Sequence, residues 1–264
     1  MQDFGFHRPQ SVRAAVEAVK RVADGKYLAG GQSLIPLMKL GLAAPSDLVT
    51  LAALRELKGI RLEGGELVVG AGMTHAEVAE SAEVRGAIPA LADLAAHIGD
   101  PQVRNRGTLG GSLAHDDPAA DYPAAALALG ATIQTDRRTI PADAFFRGVF
   151  QTALAPDEVI VAVRFPVPEK AAYAKFPHPA SRFALAGVFV AKGSTRVRVA
   201  VTGAGAGVFR SAELEGALAT RFAPDALASV VVPSAGLMSD PFGSAEYRAH
   251  LVGVLARRAV EACA

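Results

Sequence analysis

The chain has 264 residues, of which 51% are hydrophobic, and its 27 Lys and Arg against 26 Asp and Glu give a formal net charge of +1. This composition allows a buried core, and the length suits one large domain or two smaller ones. The near-balance of charge argues against a nucleic-acid-binding protein, which would need a clustered basic excess. No stretch approaches the ~20 apolar residues of a membrane span. The first ten residues lack a signal-peptide pattern, so a cytoplasmic protein is expected.

Cys263 is the only cysteine in the sequence. These residues therefore cannot form an internal disulfide, nor hold an iron–sulfur cluster of their own, which normally takes four thiolates. The six histidines are isolated from one another and none has a metal-binding spacing. We expect no metal site in this chain.

The first half of the sequence alternates helical and strand patterns. Apolar residues at helical spacing predict a helix over 11–23, and the next apolar run predicts a short strand at 26–29. Glycines and hydroxyl residues mark the ends of these elements. The later predictions are a helix at 33–40, a strand at 66–70, a capping box from Thr74 to Glu77, a helix at 88–98, a helix from Asp117 to Leu129 and a strand at 158–165.

The second half begins with a proline-containing stretch at 166–173, which predicts a domain boundary. Strand patterns at 184–191 and 196–202 then precede helical patterns at 211–221, 225–229 and 244–263. Strands grouped before helices predict an α+β domain. The segment Gly203–Gly207 is close to a dinucleotide-binding glycine motif, but Val208 replaces its third glycine, so we interpret the segment as a turn.

Two segments couple a glycine pair to hydroxyl residues: AGGQS at 29–33 and GTLGGS at 107–112. Glycine lets backbone amides approach an anion closely, and hydroxyls and helix N-termini add further donors. Together the two loops could hold a diphosphate from both sides. Each loop alone is also compatible with an ordinary tight turn.

These segments resemble those of a known family. IGDPQVRNRGTLGGSLAHDDPAADYPAA at 98–125, AGGQSLIPLMKL at 29–40 and PHPASRFALAGV at 177–188 are similar to FAD-binding medium subunits of xanthine dehydrogenase-type molybdenum hydroxylases, especially of the aerobic carbon monoxide dehydrogenase branch. The resemblance covers essentially the whole chain. It implies an α+β, PCMH-type FAD-binding fold over 1–170, with subdomains at about 1–57 and 58–170. A C-terminal α+β domain at 171–264, like that of the carbon monoxide dehydrogenase flavoprotein, would follow.

The resemblance also implies noncovalent FAD, and it assigns the contacts by position with no catalytic or metal-binding residue. Gln32 stands where a histidine is frequent in relatives, and Phe183 where some carry a tyrosine near the isoalloxazine. Taken alone, Asp121 is also compatible with a helix N-terminal charge, His115 with a loop histidine and Lys175 with a surface lysine. The implied cofactor-binding residues are Ala29, Gly30, Gly31, Gln32, Ser33, Leu34, Thr108, Leu109, Gly110, Gly111, Ser112, His115, Asp121, Ile160, Lys175 and Phe183.

In such a family, a large molybdopterin subunit oxidises the substrate, a small subunit with 2Fe-2S clusters carries the electrons, and FAD on the medium subunit reduces an external acceptor. The expected assembly is a dimer of heterotrimers. The single cysteine fits this division, because the clusters must lie on another chain. Two alternatives are a stand-alone flavin reductase of the related fold, like the enolpyruvyl-sugar reductase of wall synthesis, and a non-redox scaffold subunit. The sequence offers no proton donor for the first, and the intact glycine loops argue against the second.

Overall fold

The computed structural model describes residues 2–263, and its first unit is a small parallel sheet with a helix packed on it. The strand order is β1-β3-β2, and both pairs are parallel. Helix α1 forms where the apolar stripe predicts it, and the Ser11 hydroxyl caps it by accepting from the Ala14 amide at 3.1 Å. The elements are β1 (Gly5–His7), α1 (Val12–Lys20), β2 (Gly25–Leu28), α2 (Leu34–Lys39) and β3 (Asp47–Thr50), followed by a 3₁₀ turn at Arg55–Leu57.

The second unit is a five-stranded antiparallel sheet covered by short helices. Its strand order is β4-β5-β10-β6-β7. Helix α8 is buried at every position, because it lies between this sheet and the next one. The elements are β4 (Ile60–Glu63), β5 (Glu66–Gly70), α3 (His75–Glu80), α4 (Ala82–Ala87), α5 (Pro89–Ala96), α6 (Pro101–Arg104), α7 (Leu109–His115), α8 (Tyr122–Leu129), β6 (Thr132–Thr135), β7 (Thr139–Pro141), α9 (Ala142–Phe145), β8 (Phe146–Gly148), β9 (Gln151–Thr152) and β10 (Ile160–Pro166).

The third unit is a four-stranded antiparallel sheet in the order β11-β12-β13-β14. One face packs on α8, and the other packs on the last two helices. Strand β12 is therefore buried on both faces, and its sequence is a continuous apolar run instead of an alternating one. The elements are β11 (Lys170–Pro177), β12 (Ala184–Lys192), β13 (Val197–Thr202), β14 (Phe209–Arg210), α10 (Ala212–Thr220), a 3₁₀ turn at Pro224–Leu227 and α11 (Ala245–Ala262).

The predicted start of the helix at Asp117 is wrong, since α8 begins at Tyr122. The carbonyl of Pro118 instead accepts from the Thr202 hydroxyl at 3.0 Å and from the Gly203 amide at 2.8 Å. These bonds attach the segment before α8 to the end of β13. Long-range hydrogen bonds thus override a good local helix-start signal.

The other predicted elements are present, with ends shifted by a few residues. Strand β11 begins at Lys170, within the stretch 166–173 that predicts a domain boundary. Within residues 2–263, no helix is both long and apolar enough to cross a membrane. The domain limits at about 57 and 170 stay predictions.

Candidate functional site

The three units meet at a cleft of about 660 Å³. Loop 29–33 lines it from the first unit, loop 107–112 and the start of β10 from the second, and residues 181–183, between β11 and β12, from the third. Leu109 and Lys175 do not line the cleft. The other predicted cofactor-binding residues all do: Ala29, Gly30, Gly31, Gln32, Ser33, Leu34, Thr108, Gly110, Gly111, Ser112, His115, Asp121, Ile160 and Phe183.

The first glycine loop connects β2 to α2 and turns sharply at Gly31, whose φ of +73° is in the left-handed region that favours glycine. The backbone amides of 30–33 donate to no acceptor in the part of the chain that the structure describes. All four residues line the cleft and are half-buried or exposed, so their amides are free to donate to a ligand. Successive backbone amides of this kind can bind an anion.

The two glycine loops touch each other backbone to backbone. A Cβ added to Gly30 would lie 2.1 Å from the carbonyl oxygen of Arg106 and 2.7 Å from the Cα of Gly107. No side chain fits in that space. Glycine at position 30 therefore allows the close approach that brings both loops to one wall of the cleft.

The second glycine loop forms the N-terminus of α7, and the amides of 109–112 are already used within the protein. Leu109 and Gly110 donate to carbonyls just after β5 at 3.0 and 2.8 Å. Gly111 donates to the Thr108 hydroxyl at 3.1 Å and Ser112 to the Thr108 carbonyl at 3.0 Å. The amides of 109–112 are thus not available to an anion, whereas those of the first loop are, and anion binding by the first loop stays a prediction. The second loop contributes hydroxyls and a side-chain-free surface at Gly111.

Asp121 lies in a buried cluster that joins the second and third units. It is 4% exposed, and it accepts from the Tyr173 hydroxyl and from the Lys175 ammonium, the latter at 2.9 Å. Burial raises the pKa of Asp121, while Lys175 and Tyr173 oppose that rise. Lys175 is buried behind Asp121 and also donates to the carbonyl of His97 at 3.2 Å, so it is no surface lysine.

Two arginines leave the cleft with positive charge. Within residues 2–263, the side chains of Arg106 and Arg182 form no ion pair, although both line the cleft. The cleft carboxylate of Glu158 is neutralised by Arg138 at 2.7 Å, a contact that lowers the pKa of Glu158 to about 2. Asp117 also lines the cleft without an ion pair among residues 2–263, so the two arginines leave a net positive charge that suits an anionic ligand.

Residues 2–168 match the family model of the FAD binding domain in molybdopterin dehydrogenase. The chain belongs to this family. It is 37% identical over 276 residues to the carbon monoxide dehydrogenase medium chain of Hydrogenophaga pseudoflava, with 98% of this chain and 96% of that one covered. It is also 37% identical over 269 residues to the nicotine 6-hydroxylase medium subunit of Paenarthrobacter nicotinovorans, covering 97% and 95%.

Solved structures also place this flavoprotein subunit among the molybdenum hydroxylases. The reconstituted CO dehydrogenase from Oligotropha carboxidovorans superposes with a TM-score of 0.92 at 34% identity, covering 99% of this chain and 98% of that one. Quinoline 2-oxidoreductase from Pseudomonas putida 86 superposes with a TM-score of 0.89 at 29% identity, covering 99% and 97%. The expected α+β fold, with an FAD-binding domain and a C-terminal domain, is confirmed.

The flavoprotein subunit has a buried histidine in its cleft that sequence reasoning missed. His75 is 5% exposed, its amide donates to the Gly107 carbonyl at 3.0 Å, and its Nδ1 has no hydrogen-bond partner among the described residues. Burial lowers the pKa of His75 to about 4, so the imidazole is neutral at pH 7. The sequence showed the capping box that contains His75, but no local signal placed that box beside the second glycine loop.

The remaining predicted residues lie around the same cleft. His115, at the end of α7, packs its ring against Phe150 with centroids 5.0 Å apart, and burial lowers its pKa. Ile160 begins β10, and Phe183 precedes β12 with 49% of its surface exposed. Leu109 is fully buried in the core. Tyr173, a partner of Asp121, was also missed, although the two-residue period of a strand places it on the same face as Lys175.

Proposed function

We propose that this chain binds FAD noncovalently in the cleft and transfers electrons as the flavoprotein subunit of a molybdenum hydroxylase. The observation that carries the proposal is the row of unpartnered amides at 30–33 on the cleft wall. A diphosphate supplies the acceptor oxygens that these amides lack. The unpaired guanidinium groups of Arg106 and Arg182 complement the charge of a diphosphate.

Bound FAD would supply the redox chemistry, and the protein would supply position and electrostatics. The amides of 30–33 and the hydroxyls of Thr108 and Ser112 would hold the diphosphate. Asp121, fixed by Tyr173 and Lys175, would present a buried acceptor to the rest of the cofactor. No residue is assigned as a general acid or base.

The partners of the proposed complex are a 2Fe-2S small subunit and a molybdopterin large subunit, arranged as a dimer of heterotrimers in the cytoplasm. Two features support these partners. The chain has one cysteine, which is buried next to its C-terminal end. Two of its relatives are a carbon monoxide dehydrogenase medium chain and a nicotine 6-hydroxylase medium subunit. Electrons would reach the flavin from the small subunit and leave it to an external acceptor.

The cofactor is tested by identifying the flavin that the denatured protein releases. We expect FAD and no FMN, because the cleft donors match a diphosphate.

A Cβ at Gly111 would lie 2.9 Å from Thr108 Oγ1 and 3.6 Å from Ala29 Cβ, between the loops. Gly111→Val should displace the Thr108 hydroxyl from the diphosphate and so weaken FAD binding at least tenfold, since one hydrogen bond to a charged group contributes roughly 1.5–3 kcal/mol and about 1.4 kcal/mol is tenfold.

The matched control is Gly216→Val in α10, where an added Cβ meets no atom within 4 Å. Both variants place valine in a helix. A difference in FAD affinity between them therefore measures the effect of valine in the cleft. Release of FMN from native protein, or full flavin retention by folded Gly111→Val, would contradict the proposed site.

A further inference from the structure

The connection between β11 and β12 is a tight turn at the mouth of the cleft. Three of its residues, Ser181, Arg182 and Phe183, line the cleft. Arg182 has a φ of 62°, in the left-handed region that a residue with a side chain rarely adopts. Such a conformation costs of order 1–3 kcal/mol and persists only where its surroundings hold it.

His178 holds this turn from the inside. Its Nδ1 accepts from the backbone amides of Ala180 and Ser181, each at 3.2 Å. Its own amide donates to the Phe183 carbonyl at 2.8 Å, and its carbonyl accepts from the Arg182 amide at 2.9 Å. Because Nδ1 is an acceptor here, the ring proton of the neutral imidazole is on Nε2.

The imidazole packs against Phe242, in the segment that precedes α11. Its ring meets Phe242 edge to face, with centroids 4.4 Å apart. The Phe242 amide donates to Asp240 Oδ1 at 2.9 Å, and Asp240 Oδ2 pairs with Arg248 at 2.6 Å. Arg248 is 2% exposed, so a continuous series of contacts leads from the core to the turn.

We propose that His178 is a positioning residue that fixes the turn 178–183 and so presents the Phe183 ring to the flavin. This inference rests on the proposed function of the cleft. The Nδ1 acceptor satisfies two amides of the turn and stabilises the left-handed Arg182 that directs Phe183 to the cleft. Without the Nδ1 acceptor, the turn samples other conformations. FAD binding must then order Phe183, which has an entropic cost.

The test compares two substitutions in the full chain. His178→Asn keeps an acceptor, because an Asn side-chain oxygen bonds the backbone two residues on in the same way. His178→Leu keeps apolar contact with Phe242 and removes the acceptor. We measure the FAD dissociation constant by fluorescence titration. His178→Leu should weaken binding roughly tenfold, the effect of one or two ordinary hydrogen bonds. His178→Asn should stay within about threefold of native.

A double-mutant cycle with Phe183→Ala separates positioning from a general loss of stability. If His178 acts through Phe183, His178→Leu should change FAD binding by less than about twofold in the Phe183→Ala background, because coupled sites are not additive. Equal effects in both backgrounds would overturn the proposal. So would unchanged FAD binding in His178→Leu, or loss of folded protein in that variant, which would assign His178 to the fold alone.

The native chain distinguishes the two proposals. If it binds no FAD, the proposed function fails and this inference fails with it. If native protein binds FAD and His178→Leu binds it equally well, only the role of His178 is lost.

Discussion

Asp116 is a buried carboxyl group for which the protein offers no partner. It is 2% exposed, and neither carboxyl oxygen has a hydrogen-bond partner within residues 2–263. Burial, with a smaller contribution from the negative charge of Asp117, raises the pKa of Asp116 from 3.8 to about 7. Its φ of 49° ends α7 in the left-handed conformation, which Asp and Asn tolerate better than other residues with side chains.

This carboxyl should make stability depend on pH. The folded protein holds the Asp116 proton more tightly than the unfolded chain, so its stabilising effect is complete below pH 3.8 and is lost as pH rises towards 7. Asp116→Asn keeps the backbone preference and cannot ionise. We expect it to raise the free energy of unfolding at pH 8 by roughly 1–3 kcal/mol, because the Asn side chain avoids burying the unpaired charge that native Asp116 carries at that pH.

Urea denaturation at pH 5 and pH 8 measures this difference. Asp24→Asn is the control, because Asp24 is exposed. If Asp116→Asn and native protein lose the same stability between the two pH values, Asp116 is not the titrating group.

At the scale of single residues, the sequence predicted those parts of the cleft whose chemistry can be read from one short segment. A glycine pair beside hydroxyls indicates a loop that binds an anion, and both such loops line the cleft. It could not show that the Leu109 and Gly110 amides of the second loop donate to carbonyls after β5. It also missed Arg182, because only the packing of the three units places Arg182 and Arg106 in the same cleft.

At the scale of elements, long periodic patterns were predicted well and short paired strands were not. Helix α11 follows an apolar stripe that the sequence displays, and it lies where predicted. Strands β1 and β3 have three and four residues and pair in parallel across more than thirty intervening residues of chain. Such strands depend on partners remote in sequence, and a local pattern does not specify them.

Helix α11 is anchored by a buried arginine. Arg248 donates to the carbonyls of Leu185 and Gly203 at 2.6 and 2.7 Å and pairs with Asp240. Arg248→Met fills a similar volume but leaves these acceptors without a donor. We expect the free energy of unfolding to fall by roughly 2–6 kcal/mol, because two buried carbonyls lose their donor and each unsatisfied buried group costs about 1–3 kcal/mol.

Chemical denaturation of Arg248→Met and Arg258→Met measures this effect. Arg258 is exposed on the same helix, so its replacement should change stability by less than about 0.5 kcal/mol. Arg248→Lys should recover only part of the loss, because an ammonium lacks the fork of donors that reaches two carbonyls and a carboxylate. Equal stability of the two methionine variants would exclude an anchoring role.

At the scale of the whole molecule, the cleft exists only where the three units meet. Its first loop follows β2, its second precedes α7, and its third wall is the turn before β12. These segments are far apart in the chain, so the sequence could indicate each one but not their distances. Cross-unit bonds such as those of Thr202 to the segment before α8 hold the walls together.

The same architecture bears on how electrons reach the flavin. The described part of the chain contains no group of three or more His, Cys, Asp and Glu side chains that could hold a metal ion, and its one cysteine is buried. Burial raises the pKa of that thiol to about 11, so it is neither a thiolate nor a redox relay at pH 7. This agrees with the proposal that another subunit supplies the relay to the flavin.

We expect the isolated FAD-loaded chain to be reduced only slowly by nonspecific donors. Once iron–sulfur and molybdopterin subunits are added, the substrate of the complex should reduce its flavin. Anaerobic bleaching of the visible flavin absorption, recorded before and after the partners are added, measures this. The Gly111→Val chain is the control, because it should join the complex with little flavin to bleach. If the isolated chain oxidises a specific organic substrate at ~1–10³ s⁻¹, as typical enzymes do, the protein is a stand-alone flavin reductase and the electron-transfer proposal is wrong.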